Sequence, residues 1–277
     1  MKKLNICLIV AAFVSTALSS CQKKFDPSTY APPLSIDGFT SSNKVAPESL
    51  VAKWSFDGNL VDSVSKVAGT NTGTTFSTGV KGGALQGALN SYVITAPSAA
   101  VSGLTSFTFA EWINTPPPSV GIVPLFSLAN KAGFWGNIEI FFENGSTNDI
   151  GLLRIHIFNG TDDKTLEVNG TKNWFDKFVH FAVSYDAVTA TCKVYMNGTR
   201  IVNQPFPGVT GPLNFKNQGN IVFGAPQFMT TPSQTTTHGA EGWASFFTGS
   251  IDEVRIYNKA LSDIEVGAIA KLEGRGK

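Results

Sequence analysis

Phe178-Val179-His180-Phe181-Ala182-Val183-Ser184-Tyr185-Asp186, followed shortly by Thr191-Cys192-Lys193-Val194-Tyr195-Met196-Asn197-Gly198, is the stretch whose reading decides the fold. Apolar residues alternate with small or polar ones in both runs, so successive side chains point to opposite faces of an extended strand. Asn197-Gly198 suits a type I′ turn between such strands, because both residues tolerate positive φ. Outward from this hairpin, apolar alternation recurs at 50–56, 91–95, 106–113, 123–129, 137–143, 152–158, 165–168, 220–224 and 249–257. Turn residues separate nearly all of these blocks, and no long amphipathic segment lies between them. Parallel sheets need crossover helices, so the pattern predicts an all-β fold, an antiparallel two-sheet sandwich. One helix is expected, near the end, where Ser262 and Glu265 form a capping box ahead of Ile264, Val266, Ile269 and Leu272.

The composition agrees with this class. Of 277 residues, 42% are hydrophobic and 15% charged, with 27 Gly and 21 Phe, as expected of a globular exported β protein. Twenty-one basic residues against 20 acidic ones leave a formal charge of +1. That balance lacks the basic footprint a phosphate backbone requires, so no nucleic-acid partner is expected.

Lys2 and Lys3 precede an apolar run over 4–18 that matches a signal-peptide core and is short for a membrane span. The run ends in Leu18-Ser19-Ser20-Cys21, which resembles the lipobox of bacterial lipoproteins. That resemblance implies a signal peptide over 1–20, a lipidated (palmitate-bearing) Cys21, and attachment to the cell envelope through lipid alone, at the outer membrane, with the periplasmic or outward face left open. An ordinary secretory signal with a chance cysteine is the other reading. Cys7 leaves with the signal, so Cys192 has no intrachain disulfide partner and reads as a buried strand thiol. Residues 22–47 hold four prolines and no periodicity, so 21–47 reads as a tether, 48–273 as the domain and 274–277 as a tail.

Five blocks carry a wider resemblance. Trp54-Ser55-Phe56-Asp57-Gly58-Asn59 with Asp62-Ser63, Gly79-Val80-Lys81-Gly82-Gly83-Ala84-Leu85, Ser106 to Ile113, the 178–198 hairpin, and Phe247 to Ser262 appear in an order similar to that of the laminin-G-like jelly roll of the concanavalin-A-like superfamily. Phe178 departs from the pattern, standing where tryptophan is common. The resemblance runs from about residue 50 to 272 and implies a jelly-roll sandwich with a short C-terminal helix.

It also implies one structural Ca²⁺ where the first and last strands meet, with ligands at Asp57 and Asp252 and further candidates at Asn59, Asp62 and the backbone near Gly82. Hard oxygen donors suit that ion. The competing reading has Asp57 and Asp62 capping turns and Asp252 pairing with a basic residue.

Lectin-like jelly rolls bind glycans by packing the C–H face of a sugar on aromatic rings while amides and carboxylates take the hydroxyls. The eligible residues are Phe134 and Trp135 with Asn137 and Glu139, Trp174, and Trp243 in a polar segment. Trp112 joins them if Phe107 and Phe109 fill the core, because it then faces the opposite side. Packing is the alternative, most plainly for Trp54 and Trp112. Catalysis is not expected. Glu139-Ile140-Phe141-Phe142-Glu143 puts two acids on one face, but strand residues four apart are separated by roughly 13 Å, against the 5–5.5 Å of a retaining glycosidase. His156, His180 and His238 show no metal-ligand spacing. The sequence therefore points to a non-catalytic binder of a polysaccharide or host glycan, with a protein-binding adhesion module on the same fold as the alternative; the sugar reading rests on fold analogy.

Overall fold

The computed structural model describes residues 34–143, 145, 147, 149–160 and 162–277. The signal peptide and Cys21 lie outside the described residues. The strands are β1 Leu50–Trp54, β2 Thr70–Thr72, β3 Thr75–Thr78, β4 Gly83–Gln86, β5 Tyr92–Thr95, β6 Phe107–Asn114, β7 Val123–Asn130, β8 Ile138–Phe142, β9 Ile150–Phe158, β10 Asp163–Lys172, β11 Val179–Asp186, β12 Thr191–Met196, β13 Thr199–Pro205, β14 Gln218–Phe223 and β15 Ser250–Tyr257. Two helices accompany them, α1 Ala99–Ser102 and α2 Asp263–Glu273. One sheet runs β13-β12-β11-β6-β15-β4-β3 with β1 also on β15, and the other runs β10-β9-β8-β7-β14-β5-β2.

Every strand block expected from alternation coincides with a strand. The four additional strands are β2, β3, β4 and β13. β2 is wholly exposed and β3 and β13 largely so, with only the adjacent Ile201 and Val202 of β13 packing on the core, so they carry no alternating core-facing stripe. Asn197 and Gly198, with φ of 51° and 75° as a type I′ turn demands, join β12 to β13, whereas β11 and β12 connect through 187–190. Asn197 also accepts the His180 backbone N–H through Oδ1 at 3.0 Å.

The two sheets close on a core to which β6 gives Phe107, Phe109 and Ile113, β8 gives Ile138, Ile140 and Phe142, β9 gives Leu153, Ile155 and Ile157, and β11 gives Val179, Phe181 and Val183. Each such side chain contributes about 1.5–3 kcal/mol by leaving water. Glu111 shares the inward parity of Phe109 and Ile113 and is fully buried without a side-chain partner among the described residues, so burial holds its pKa well above the ordinary range.

The outer face of the larger sheet is covered. Helix α2 starts on the expected capping box, with Ser262 Oγ accepting from Glu265 N and Glu265 accepting from Ser262 N. Its Val266, Ile269 and Leu272 pack with Ala110, Ala182, Tyr195 and Tyr257. Arg255, fully buried, donates from Nε to Glu273 Oε1 at 2.6 Å and from Nη2 to Ser42 Oγ, Asn43 Oδ1 and Glu253 Oε2. The domain begins earlier than its sequence suggests. Residues 36–47, read as tether, contribute buried Ile36, Val45 and Ala46 to this layer. The expected tail is also held, since the Lys277 carbonyl accepts from Ser42 Oγ at 2.9 Å.

Candidate functional site

The outer face of the seven-stranded sheet carries a different surface. Strand parity sends Glu139 and Phe141 of β8 outward while Ile138, Ile140 and Phe142 go to the core. On β9 it sends Arg154 and His156 outward, and register sets His156 beside Glu139 and Arg154 beside Phe141. The segment 226–246 crosses this face and adds Phe228 and Trp243, while the turn 131–137 adds Phe134 and Trp135.

The rings assemble into one cluster. Trp135 stacks on Phe141 at 4.9 Å and lies against His156 at 4.5 Å. Phe134 stacks on Trp243 at 5.9 Å and meets His238 edge-on at 4.2 Å. Trp243 is 44% exposed, Phe134 and Trp135 are half-buried, and Phe228 is buried beneath them. His156 Nδ1 bonds Asp163 Oδ2 at 2.7 Å, which fixes the ring under Trp135. Gln227 ties the segment to the turn by donating to the Gly133 and Phe134 carbonyls while accepting Asn130 N–H.

Asn137 and Glu139 support this cluster from below. Asn137 is fully buried and donates to the carbonyls of Ala129 and Lys216, so it positions the turn. Glu139, also fully buried, accepts from Ser127 Oγ at 2.8 Å and Gly136 N at 3.1 Å. Burial pushes its pKa up to about 8 despite these bonds, and it holds the backbone beside Trp135. Glu143, on the same side, forms an ion pair with Arg154.

Two tryptophans expected at the site lie elsewhere. Trp174 is fully buried in the core against Phe142 and Phe181. Trp112 does face away from Phe107 and Phe109, but onto the covered face, where its Nε1 donates to Glu273 Oε2 at 2.9 Å. Parity gave its direction; the helix that covers it comes from far along the chain. Conversely, sequence reading left out Phe141, Phe228 and Asp163 and treated His156 only as a strand residue, though the outward parity of Phe141 and His156 beside Glu139 was a usable signal.

The expected cation ligands divide in two. Asp57 Oδ1 accepts from Gly83 N at 2.6 Å and Asp252 Oδ2 from Val80 N and Lys81 N at 2.8 and 3.0 Å. Both carboxylates thus grip the 79–83 loop, where Gly82 has φ of 77° and a Cβ would collide with Asp57. Asp252 Oδ1 is buried without a partner, and burial pushes the carboxyl up to about 7. An orphaned carboxylate oxygen, with Asp57 on the same loop, fits a hard cation. Asp62 and Asn59 are spent on turns. Asp62 accepts from Lys53 N, Val64 N and Ser65 Oγ, and Asn59 accepts from Val61 N and donates to Asp57 O. Among the described residues no group of three or more His, Cys, Asp or Glu gathers, so a cation here would rely on backbone carbonyls and water besides Asp57 and Asp252.

A family model described as the concanavalin A-like lectin/glucanases superfamily, of laminin-G type, matches residues 85–267. The chain belongs to this superfamily. A search of curated proteins with the sequence found no significant match. Among solved structures, this laminin-G-type chain is similar to domain 4 of AbnA, a GH43 extracellular arabinanase from Geobacillus stearothermophilus, in complex with arabinotriose, at 21% identity and TM-score 0.54, covering 80% of this chain and 98% of that one. It is also similar to the binding domain of Paraclostridial Mosquitocidal Protein 1 at 17% identity and TM-score 0.59, covering 80% of this chain and 52% of that one. A botulinum neurotoxin type C structure, whose cell entry depends on interaction with two ganglioside molecules, aligns at 16% identity and TM-score 0.59 over 82% of this chain and 51% of that one. The chain therefore spans about half the length of the two toxin chains. At these identities the likeness is one of fold.

Proposed function

We propose that this chain is a non-catalytic glycan-binding domain of a lipid-anchored protein of the bacterial cell envelope. The observation that carries the reading is the ring cluster of Phe134, Trp135 and Trp243, presented half-exposed over the buried supports Phe141, Phe228 and His156. Sugar rings pack on such platforms through their C–H faces. The partners bound by similar folds, arabinotriose and gangliosides, support the same class of ligand. The lipobox-like Leu18-Ser19-Ser20-Cys21 supports the anchor, and Asp57 with Asp252 supports one Ca²⁺ that braces the 79–83 loop.

The acids give no support to glycoside hydrolysis. Glu139 is sealed beneath the turn and Glu143 pairs with Arg154, whereas that chemistry needs two carboxyls facing the sugar across its ring. A protein-docking role is favoured less, because the exposed large hydrophobics Val64, Phe76, Val188 and Ile264 sit on different elements, and only Leu89 and Val120 share the wall of one hollow, short of one large patch. Affinity electrophoresis against plant, algal and mucosal polysaccharides tests the proposal. Retention that disappears in Trp243→Ala supports it; a folded wild-type chain retained by none of them overturns it.

A further inference from the structure

Next to the ring cluster, two hollows flank Phe246. The first, about 320 Å³, is walled by the 115–120 loop with its three consecutive prolines and by Leu89, Val123, Ser245 and Thr248. The second, about 290 Å³, lies between Thr72, Asn90, Tyr92, Met229, Thr231 and Ala240. Phe246 lines both, so the two hollows meet at one residue. Each has the size of a small pocket for an organic ligand.

Their lining is chemically uniform. No charged side chain borders either hollow, although the chain is 15% charged. The polar groups are hydroxyls and one amide, from Thr72, Asn90, Thr231, Ser119, Ser245 and Thr248, set around Tyr92 and Phe246. Neutral hydrogen-bonding groups set between apolar walls are what an uncharged sugar needs. A uronate or sulfated sugar would have to desolvate its charge here with no cation to meet it.

The hollows also join the ring cluster. Met229 walls the second hollow and packs against the buried cluster of Ile122, Phe141, Phe228 and Ala244, on which Phe134 and Trp135 also rest, and Glu241 N donates to Met229 Sδ at 3.3 Å, close in sequence to Trp243. We infer that the two hollows meeting at Phe246 continue the Trp243 platform into one extended site, which holds an internal stretch of an uncharged polysaccharide rather than a single sugar or chain end. This inference rests on reading the ring cluster as a glycan platform.

The test is isothermal titration of the full chain with laminarin, arabinan, xyloglucan, galactomannan and polygalacturonate, then with the disaccharide and hexasaccharide of whichever neutral polymer binds. Thr72→Arg and Thr248→Arg, both at exposed positions, place a bulky charge in one hollow each. Both should weaken hexasaccharide binding at least tenfold and leave the disaccharide within twofold, whereas Trp243→Ala should weaken both ligands. NMR mapping of the hexasaccharide on the wild-type chain gives a readout free of variants, with shifts expected at 115–120 and 246 as well as at 134–135 and 243. Unchanged hexasaccharide affinity in both arginine variants, or shifts confined to 134–135 and 243, overturns the extended site and leaves the glycan reading standing. Preference for polygalacturonate overturns the uncharged class alone. Binding to no polymer sinks both.

Discussion

Trp135 lies against His156, ring centroids 4.5 Å apart, and His156 is in turn fixed by Asp163 Oδ2 at 2.7 Å. The outer tryptophan is therefore held by a ring whose own orientation is set on the neighbouring strand. Losing one such ring contact costs about 0.5–1.5 kcal/mol. His156→Ala should weaken polysaccharide retention roughly three- to tenfold, and His156→Phe should restore most of it. Identical retention in wild type and His156→Ala, measured by affinity electrophoresis, would show that Trp135 takes no part in binding.

Trp174 and Trp243 should separate stability from binding. Trp174 fills space left by Gly151, where a Cβ would press against its indole, and it has no exposure. Trp174→Ala should cost about 3–5 kcal/mol in urea unfolding, while Trp243→Ala, which loses only partly exposed ring contacts, should cost about 0.5–1.5 kcal/mol and remove binding. The opposite pattern would return Trp174 to the site and Trp243 to the scaffold.

These two residues also show what the sequence made legible. Alternation and the Asn197-Gly198 turn located the main strands because strand parity is a local property. Trp174, between exposed Lys172, Asn173, Asp176 and Lys177, reads as a loop residue. Positive φ at Asn173 and Asp176 brackets the bend that carries Trp174 and Phe175 inward, and neither angle is written in residue type. Trp112 failed for a related reason, since its direction followed from parity while its cover, α2, is a tertiary fact. Phe134, Trp135 and Trp243 meet because Gln227 ties two segments together, a contact no spacing announces. Asp57 and Asp252 were picked out only through the wider resemblance.

Asp252 makes a prediction about cations. At the Ca²⁺ site proposed above, a proton would compete with the cation for its buried Oδ1, because burial pushes the carboxyl up to about 7. Added Ca²⁺ should raise the Tm at pH 8, by an amount that shrinks as the pH falls below about 7. Asp252→Asn should abolish the increment at every pH. In chelator, the folded state binds the proton more tightly than the unfolded state, so stability is lost as pH rises from the ordinary carboxylate range to about 7. Asp252→Asn should therefore melt above wild type at pH 8 in chelator. No Ca²⁺ effect on wild type at pH 8 would remove the site.

Glu139 and His180 impose opposite pH dependences. Burial raises Glu139 from 4.5 to about 8, so its protonated form belongs to the fold. That contribution is complete below about pH 4.5 and declines as pH rises to about 8. His180 is fully buried against the Trp112 ring with no hydrogen-bond partner at either ring nitrogen among the described residues, and burial lowers it from 6.5 to about 3. Its neutral form belongs to the fold, so stability is complete above about 6.5 and falls as the pH drops towards 3. Other buried acids share the sign of Glu139, which makes the difference between variant and parent the informative quantity. Glu139→Gln mimics the protonated acid and should raise the Tm at pH 9 relative to pH 5, measured against wild type at each pH. His180→Gln should do the reverse, gaining on wild type only below about pH 6. Ionisation strengthens the Glu139 bond to Gly136 N–H but leaves a buried charge beneath Trp135 whose desolvation outweighs that gain, so wild-type glycan retention should weaken between pH 7 and 9 while Glu139→Gln retains its affinity. Parallel decline in the two proteins would place the pH effect elsewhere.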